Sequence, residues 1–169
     1  MSSHDVTVVE ISVPASEASA RADAVCDWLL RTGVMVPNHS PTLHCAYLPG
    51  PEATIDNPCR DTGVDVISDR MVFDSAANVT PPDCPHCAAP LDVDVYIDQM
   101  EPWLLAGEPS IRCPACGHAA PLGDWPGEWT CQVGNLGVRF TNWPPLRDHF
   151  VRELGRRLGP RWRVVRAHR

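Results

Sequence analysis

Regular alternation of hydrophobic and polar residues begins close to the start of this 169-residue chain. Residues 6–13 place one set of side chains on a single face, which predicts a strand with one buried side. That set is Thr7, Val9, Ile11 and Val13. Glu10 and Ser12 fall on the opposite face, which we expect to meet water. Pro14 ends the strand, and apolar residues at helical spacing then predict a helix over residues 16–32.

The C-terminal part of the chain shows the same two hydrophobic patterns, first that of a strand and then that of a helix. Residues 138–143 predict a strand that leads into a helix. Apolar residues then recur at every fourth position, which predicts an amphipathic helix; they are Leu146, Phe150, Leu154 and Leu158. Gly159 and Pro160 end this helix, and residues 161–168 predict a last strand. The two ends of the chain are therefore two predicted β–α–β units.

The pattern between these units is less regular. Residues 34–63 predict loops around one short strand at 43–48, and residues 64–73 predict a further strand. Residues 91–97 alternate strictly, which predicts a strand with a buried aliphatic face and an exposed row of carboxylates. The aliphatic residues are Leu91, Val93, Val95 and Ile97, and the carboxylates are Asp92, Asp94 and Asp98. Residues 102–109 predict a loop.

Two Cys-x-x-Cys motifs enclose this alternating segment. They read Cys84-Pro85-His86-Cys87 and Cys113-Pro114-Ala115-Cys116, with 25 residues between them. Two such turns supply four thiolates in a tetrahedron, which suits Zn²⁺. Proline after the first cysteine of each motif fixes φ, and Gly117 after the second motif can adopt a left-handed conformation. We therefore predict one structural Zn²⁺, held by Cys84, Cys87, Cys113 and Cys116.

Two other readings of these cysteines are redox chemistry and disulfide bonding. A thioredoxin-like pair would need only one motif, and disulfides would need an oxidising compartment. The chain begins without a basic segment followed by an apolar run, so we expect no signal peptide and a reducing cytoplasm. The paired motifs resemble a zinc ribbon over residues 81–131. This resemblance implies a metal site but no particular function, because unrelated proteins share the motif.

From these elements we predict an α+β fold, with a small mixed sheet, two covering helices and an inserted zinc ribbon. Residues 1–80 and 132–169 would form one discontinuous domain around the insert at 81–131. The order of elements resembles a ferredoxin-like plait, and that resemblance by itself implies no function.

Further cysteines and histidines allow a second metal site or a Cys/His pair for nucleophilic catalysis. The second metal site would draw on His44, Cys45, Cys59 or Cys131, and the catalytic pair would come from the Cys and His residues between 39 and 59. His44 and Cys45 are adjacent and would point to opposite faces of a strand, which argues against a catalytic pair. His86 and His118 flank the four cysteines, and we expect them in solvent or behind the ligands.

The charge of the chain is unevenly distributed. The formal net charge is −7, and all 14 basic residues are arginine. Residues 1–138 carry a net −14, whereas residues 139–169 carry a net +7. The basic end suits nucleic acid or an acidic partner, or it packs against the acidic part of its own chain. Two pairs are predicted within the last helix: Asp148–Arg152 and Glu153–Arg157.

Three tryptophans in the C-terminal half of the chain suggest a surface for a partner or a ligand. Trp125 and Trp129 lie in a loop rich in glycine and proline, and Trp143 ends a predicted strand. Indoles in loops can stack on bases or line a pocket, or they can complete a small core. Together with Arg152 and Arg156, these tryptophans form the predicted partner or ligand surface.

The sequence favours a cytoplasmic zinc-ribbon protein that binds another protein and performs no chemistry of its own. A nucleic-acid-binding accessory protein using the C-terminal arginines is the alternative, although the acidic composition disfavours it. A metal-dependent enzyme with an open or second metal site is a third reading, drawing on His44, Cys45, Cys59 or His118. The sequence has no apolar stretch long enough to span a membrane, so we expect no membrane association.

Overall fold

The computed structural model describes residues 3–40, 42–53, 55 and 58–169. In chain order its elements are β1 (His4–Glu10), α1 (Ala15–Arg31), β2 (Met35–Pro37), β3 (Tyr47–Pro49), β4 (Gly63–Ile67), β5 (Met71–Phe73), α2 (Val93–Ile97), α3 (Met100–Ala106), β6 (Ser110–Arg112), β7 (Ala119–Pro121), β8 (Gln132–Gly134), β9 (Leu136–Thr141), α4 (Asp148–Leu158) and β10 (Trp162–His168). Short 3₁₀ turns lie at Pro51–Ala53 and Leu122–Asp124.

Six strands form one sheet in the order β10–β1–β9–β4–β3–β2, and each of these pairings is antiparallel. The predicted α+β class is confirmed, but the sheet is antiparallel where a mixed sheet was expected. The reason is that β1 pairs with both β9 and β10, so the two β–α–β units interleave. Helix α4 joins the parallel strands β9 and β10, which are separated by β1. Helix α1 leads from β1 to β2 at the other edge of the sheet, and the chain then returns through β3 to β4 beside β9. The order β10–β1–β9–β4 is that of a ferredoxin-like plait.

Helices α1 and α4 cover one face of the sheet and form the larger hydrophobic core. Both helices were predicted, because each has enough turns to show its apolar stripe. Helix α1 ends with Thr32 as its C-cap, followed by Gly33 at φ +71°. From the sheet this core receives Val8, Val64, Val138 and Phe140, and from the helices it receives Ala18, Ala22, Val25, Trp28, Leu29, Leu154 and Leu158. We call this sheet with α1 and α4 the body.

Strand β1 is buried on both faces, so the prediction of one buried side is wrong. Val8 contributes to the helix-side core, whereas Val9 packs with Phe73 and Val165 on the opposite face. Glu10, which was expected in water, is fully buried, and its Oε2 accepts a hydrogen bond from the backbone N–H of Arg161 at 2.8 Å. The face of Val8 is covered by α1 and α4, and the carboxylate of Glu10 is enclosed by residues 159–161, about 150 positions later in the chain, which the alternation could not show.

The predicted strand at residues 91–97 is helix α2. The carboxylate of Asp92 accepts hydrogen bonds from the backbone N–H groups two and three residues later, at 3.0 and 3.1 Å, and so caps the helix. Only Leu91 and Tyr96 of this segment are buried, at 4% and 1% exposure. Val93, Val95 and Ile97, predicted to be buried, are 43–46% exposed. The cap at Asp92 therefore favours a helix in this segment, although the alternation predicts a strand.

The predicted loop at 102–109 contains most of helix α3. Pro102 lies in the first turn, where its missing N–H group costs no helical hydrogen bond. The predicted strand at 64–73 is divided into β4 and β5 by a break at residues 68–70. Arg70 in that break donates to the carbonyls of Leu104 and Trp103 at 2.7 and 2.6 Å. Two carbonyl groups near the C-terminal end of α3 therefore have a hydrogen-bond partner with a favourable charge.

The segment from 81 to 131, which we call the insert, builds a second hydrophobic core from its own residues together with β8. Its largest buried side chains are Tyr96, Trp103, Leu122 and Trp125, each exposed by 2% or less. Two-stranded sheets β5–β8 and β6–β7 frame this core. The insert is therefore a small core of short elements on the opposite side of the sheet from α1 and α4.

Candidate metal centre and adjoining surfaces

The two Cys-x-x-Cys turns have the same backbone structure. In each turn the N–H of the first cysteine donates to the carbonyl five residues later, at 2.8 Å in both. The N–H four residues after that cysteine donates back to its carbonyl, at 2.9 Å in both. The β6–β7 hairpin presents the second turn, and a bridge between Asp83 and Pro90 closes the first. These hydrogen bonds fold each motif so that its sulfurs turn inward.

All four cysteine sulfurs lie within 4.8 Å of one another. The Sγ atoms of Cys84 and Cys116 are 3.8 Å apart, and those of Cys87 and Cys113 are 3.7 Å apart. With Zn–S bonds of about 2.3 Å, a regular tetrahedron has sulfurs about 3.8 Å apart. These distances are far beyond a disulfide bond, and all four thiols are free. The donor set therefore fits a four-coordinate soft metal ion.

The residue after each second cysteine has a left-handed backbone. Gly117 has φ +75°, as its position in the motif predicted. The equivalent residue of the first turn is Ala88, at φ +59°. An alanine is strained in this conformation because its Cβ approaches the backbone. The first turn thus keeps the geometry of the second at a conformational cost.

Backbone hydrogen bonds favour the thiolate form in the second turn. The pKa of Cys113 is lowered to about 7, first by the N–H of Cys116 and also by that of Ala115. The N–H of His118 also lowers the pKa of Cys116, but burial and the three neighbouring thiols outweigh it and raise that pKa to about 12. The N–H of His86 donates to the sulfur of Cys84 at 3.4 Å in the first turn. Because metal ions bind thiolates and not thiols, such donors prepare the site for a cation.

The two histidines beside the cysteines do not complete the site. His86 and His118 are exposed, as expected, and their rings stack with centroids 5.1 Å apart and an interplanar angle of 16°. Four sulfurs already fill a tetrahedron, so neither imidazole is needed as a ligand.

The structure does not bring the other candidate metal residues together. Among the described residues the four cysteines are the only group of three or more His, Cys, Asp or Glu side chains that could hold a metal ion. Cys131 is buried in the core of the insert, whereas Cys59 is exposed and Cys45 is half-buried near Gly63. Burial, with a smaller effect from Asp65, raises the pKa of Cys45 to about 11. A thiol with this pKa is a poor nucleophile at neutral pH.

The C-terminal arginines divide into two groups, and the first group holds the insert against the body. Arg161 forms a two-pronged ion pair with Glu108, at 2.7 and 2.9 Å, and also contacts Asp124 at 2.8 Å. Arg163 donates to the same Asp124 at 2.8 Å and to the carbonyl of Gly123 at 2.7 Å. Part of the basic tail therefore packs against acidic residues of its own chain.

The second group, Arg152 and Arg166, has no acidic partner among the described residues. The predicted pair Glu153–Arg157 forms at 2.8 Å, but no ion pair joins Asp148 to Arg152 in the part of the chain that the structure describes. Over the same described residues, Arg166 also has no salt bridge. These side chains are exposed and can meet a ligand or a partner.

A cleft of about 480 Å³ lies between α4 and the edge strand β10, and we call it the tryptophan cleft. Its lining includes Trp129 from the insert, Trp143 and Trp162 from the body, and Arg152 and Arg166. Trp143 is 5% exposed and forms part of the floor, whereas Trp129 and Trp162 are half-buried. Three residues of the predicted surface thus meet here: Trp129, Trp143 and Arg152.

Two residues of the predicted surface lie elsewhere. Trp125 is 2% exposed inside the insert core, where it completes the packing around the cysteines, so it cannot form a surface. Arg156 is exposed but does not line the cleft. The sequence analysis did not single out Trp162 or Arg166, because their place beside α4 depends on the pairing of β10 with β1.

Helices α2 and α3 also expose aliphatic and acidic side chains on the outside of the insert. Its aliphatic side chains are Val93, Val95, Ile97 and Leu105, exposed by 43, 46, 43 and 76%. Its exposed acidic residues are Asp92, Asp94, Asp98 and Glu101. None of these four acids forms a salt bridge within the described part of the chain, and residues 92–105 contain no basic residue. We call these eight residues the α2–α3 surface.

The described helices include none that is both long enough and apolar enough to cross a membrane. Comparison of the chain with family models, with curated proteins and with solved structures finds no match.

Proposed function

We propose that this protein is a zinc-containing protein-interaction module of the cytoplasm that binds a partner and performs no chemistry. One Zn²⁺ on Cys84, Cys87, Cys113 and Cys116 would give the insert a zinc-ribbon centre. Four thiolates leave no open coordination position for a substrate, so such a metal ion is structural. The eight free thiols suit a reducing compartment.

The observation that carries this proposal is the exposure of four aliphatic side chains on the α2–α3 surface. Tyr96 and Trp103 anchor the two helices in the insert core, and the aliphatic residues are left on the outside. Fully burying an exposed aliphatic side chain contributes about 1.5–3 kcal/mol, so burying the remaining surface of a half-exposed one contributes roughly half as much. The metal ion would hold these short helices in place, because neither is long enough to be stable alone.

The charge of the α2–α3 surface defines the kind of partner. Its four unpaired carboxylates attract a basic segment, and its aliphatic residues attract apolar side chains of the same segment. An anionic membrane would instead be repelled by this surface. The expected partner is therefore a protein with a basic, amphipathic segment.

The test is affinity capture from the native host, with the zinc-loaded chain compared with two variants. Ile97→Asp with Leu105→Asp should lose the specific partner, because both changes place charge in the apolar contact. Arg156→Ala, on the far helix α4, should retain it. Zinc content and circular dichroism of each variant check the fold. If the aspartate variant captures the same proteins as the unaltered chain, the α2–α3 surface is not the interface.

A further inference from the structure

The tryptophan cleft combines features that a protein-binding surface does not need. It is concave, and its volume of about 480 Å³ lies within the range of small-molecule sites. Half-buried Trp129 and Trp162 each leave part of an indole exposed at the cleft. The ring of His168 lies 5.1 Å from that of Trp129, which supports the indole from one side. Indoles held in this way provide flat faces on which a planar ring can stack.

The charges at the cleft favour an anion at one point of the ligand. Arg152 and Arg166 both line the cleft and have no ion pair in the described part of the chain. Arg161, Arg163 and Arg169 are all held by acids of the same chain. These two guanidinium groups are therefore available to a phosphate group of a ligand, which each can bind through paired hydrogen bonds.

The cleft also contains a hydrogen-bond acceptor, so a simple anion does not satisfy it. Asp148 lines the cleft near the start of α4 and forms no salt bridge within the described residues. Its carboxylate can accept hydrogen bonds from ring N–H, amino and sugar hydroxyl groups.

We propose that the tryptophan cleft is a nucleotide-binding site. The base stacks on an indole face of Trp129 or Trp162, and its phosphate meets Arg152 and Arg166. Donors of the base or the sugar reach the carboxylate of Asp148. The nucleotide can be free or can be the end of a single strand, since both present the same base and phosphate. The site is separate from the α2–α3 surface, so failure of partner capture there leaves this inference unaffected.

The experiment is calorimetric titration of the zinc-loaded full chain with the four 5′-ribonucleoside monophosphates, their nucleosides and inorganic phosphate. At least one nucleotide should bind more tightly than both its nucleoside and phosphate. Arg152→Ala combined with Arg166→Ala should weaken that binding by at least about tenfold, as expected for hydrogen bonds to charged groups. Arg156→Ala removes a charge from the same helix outside the cleft and should leave binding unchanged. Trp129→Phe should bind better than Trp129→Ala, because the ring is kept.

A 5′-phosphorylated single-stranded oligonucleotide distinguishes the two sources of the nucleotide. Tighter binding of the strand, with a steep decrease on addition of salt, identifies a strand end. Equal or tighter binding of the mononucleotide identifies the free nucleotide. The proposal is overturned if no nucleotide binds at millimolar concentration, if inorganic phosphate binds as tightly as the nucleotide, or if Arg156→Ala weakens binding as much as the double variant.

Discussion

The body and the insert are folded by different means, although they are parts of one chain. The body has two helices of 17 and 11 residues over a six-stranded sheet, and its core consists of aliphatic and aromatic side chains. The insert has helices of 5 and 7 residues, and its core packs buried indoles against two of the four cysteines. Long elements bury enough apolar surface to be stable without a metal ion, whereas short ones need another source of stability.

The largest expected effect follows from loss of the metal ion, which should unfold the insert but not the body. Cys113→Ser removes one of four ligands, and a structural Zn²⁺ contributes on the order of 10 kcal/mol to the folding of a small module. Zinc measured by mass spectrometry should fall from about one ion per chain to near zero, and the insert should unfold. Cys59→Ser, which alters an exposed thiol outside the cluster, is the control and should keep its zinc. Full zinc content in Cys113→Ser would show that the four-cysteine site is wrong.

A cavity in the core of the body should destabilise the protein but leave the metal site intact. Leu154 of α4 is fully buried in the main core, so Leu154→Ala should lower the free energy of unfolding by about 2–5 kcal/mol. Zinc should remain bound, because this residue belongs to the core away from the cysteines. Urea unfolding measures the loss. Leu105→Ala, at a residue 76% exposed, should change stability by less than about 0.5 kcal/mol; equal losses in the two variants would contradict the assignment of the core.

The two cysteine turns allow a smaller and paired prediction. Gly117→Ala places a Cβ at φ +75° with no atom within 4 Å, so its cost of about 1 kcal/mol is conformational and not steric. Ala88→Gly relieves the same strain in the first turn and should raise stability by about half as much, since glycine also gains entropy in the unfolded chain. Thermal unfolding of the zinc-loaded variants gives both values. A gain from Gly117→Ala would contradict the left-handed geometry.

An effect of similar size is expected at the contact between the body and the insert. Arg161→Gln removes the ion pairs with Glu108 and Asp124, whose side chains are 18% and 42% exposed, and should cost about 1 kcal/mol. The loss should shrink at high salt, because screening weakens the pairs in the unaltered protein. Arg156→Gln is a matched control without an ion pair in the described structure. A loss that does not depend on salt would mean that Arg161 acts through packing.

The body could largely be predicted from the sequence, because its helices repeat their pattern over several turns. Leu154 and Leu158 fall on a stripe that only an inward helix face explains, and both are fully buried. The segment at 91–97 has only one strand's length of alternation, which a single cap at Asp92 overrides. The burial of Glu10 could not be predicted either, since it depends on the start of β10, about 150 residues away in sequence.

The candidate sites show the same division between local and distant information. The four cysteines were predictable because each motif forms its own turn, and only one pairing of turns is required. The tryptophan cleft was predicted only in part, because Trp129, Trp143 and Arg152 meet Trp162 and Arg166 through the register of β1 with β10. Tryptophan spacing alone did not separate the buried Trp125 from the half-buried Trp129.

Hydrogen exchange of the backbone amides, measured with and without removal of the metal ion by a chelator, tests the central claim most directly. With about one Zn²⁺ bound, both parts should be protected. After chelation, α2, α3 and the β6–β7 hairpin should lose protection, while β1, β9, α1 and α4 should keep most of theirs. Loss of protection throughout the chain, or no loss anywhere, would contradict an insert held by its metal ion beside a body that folds without one.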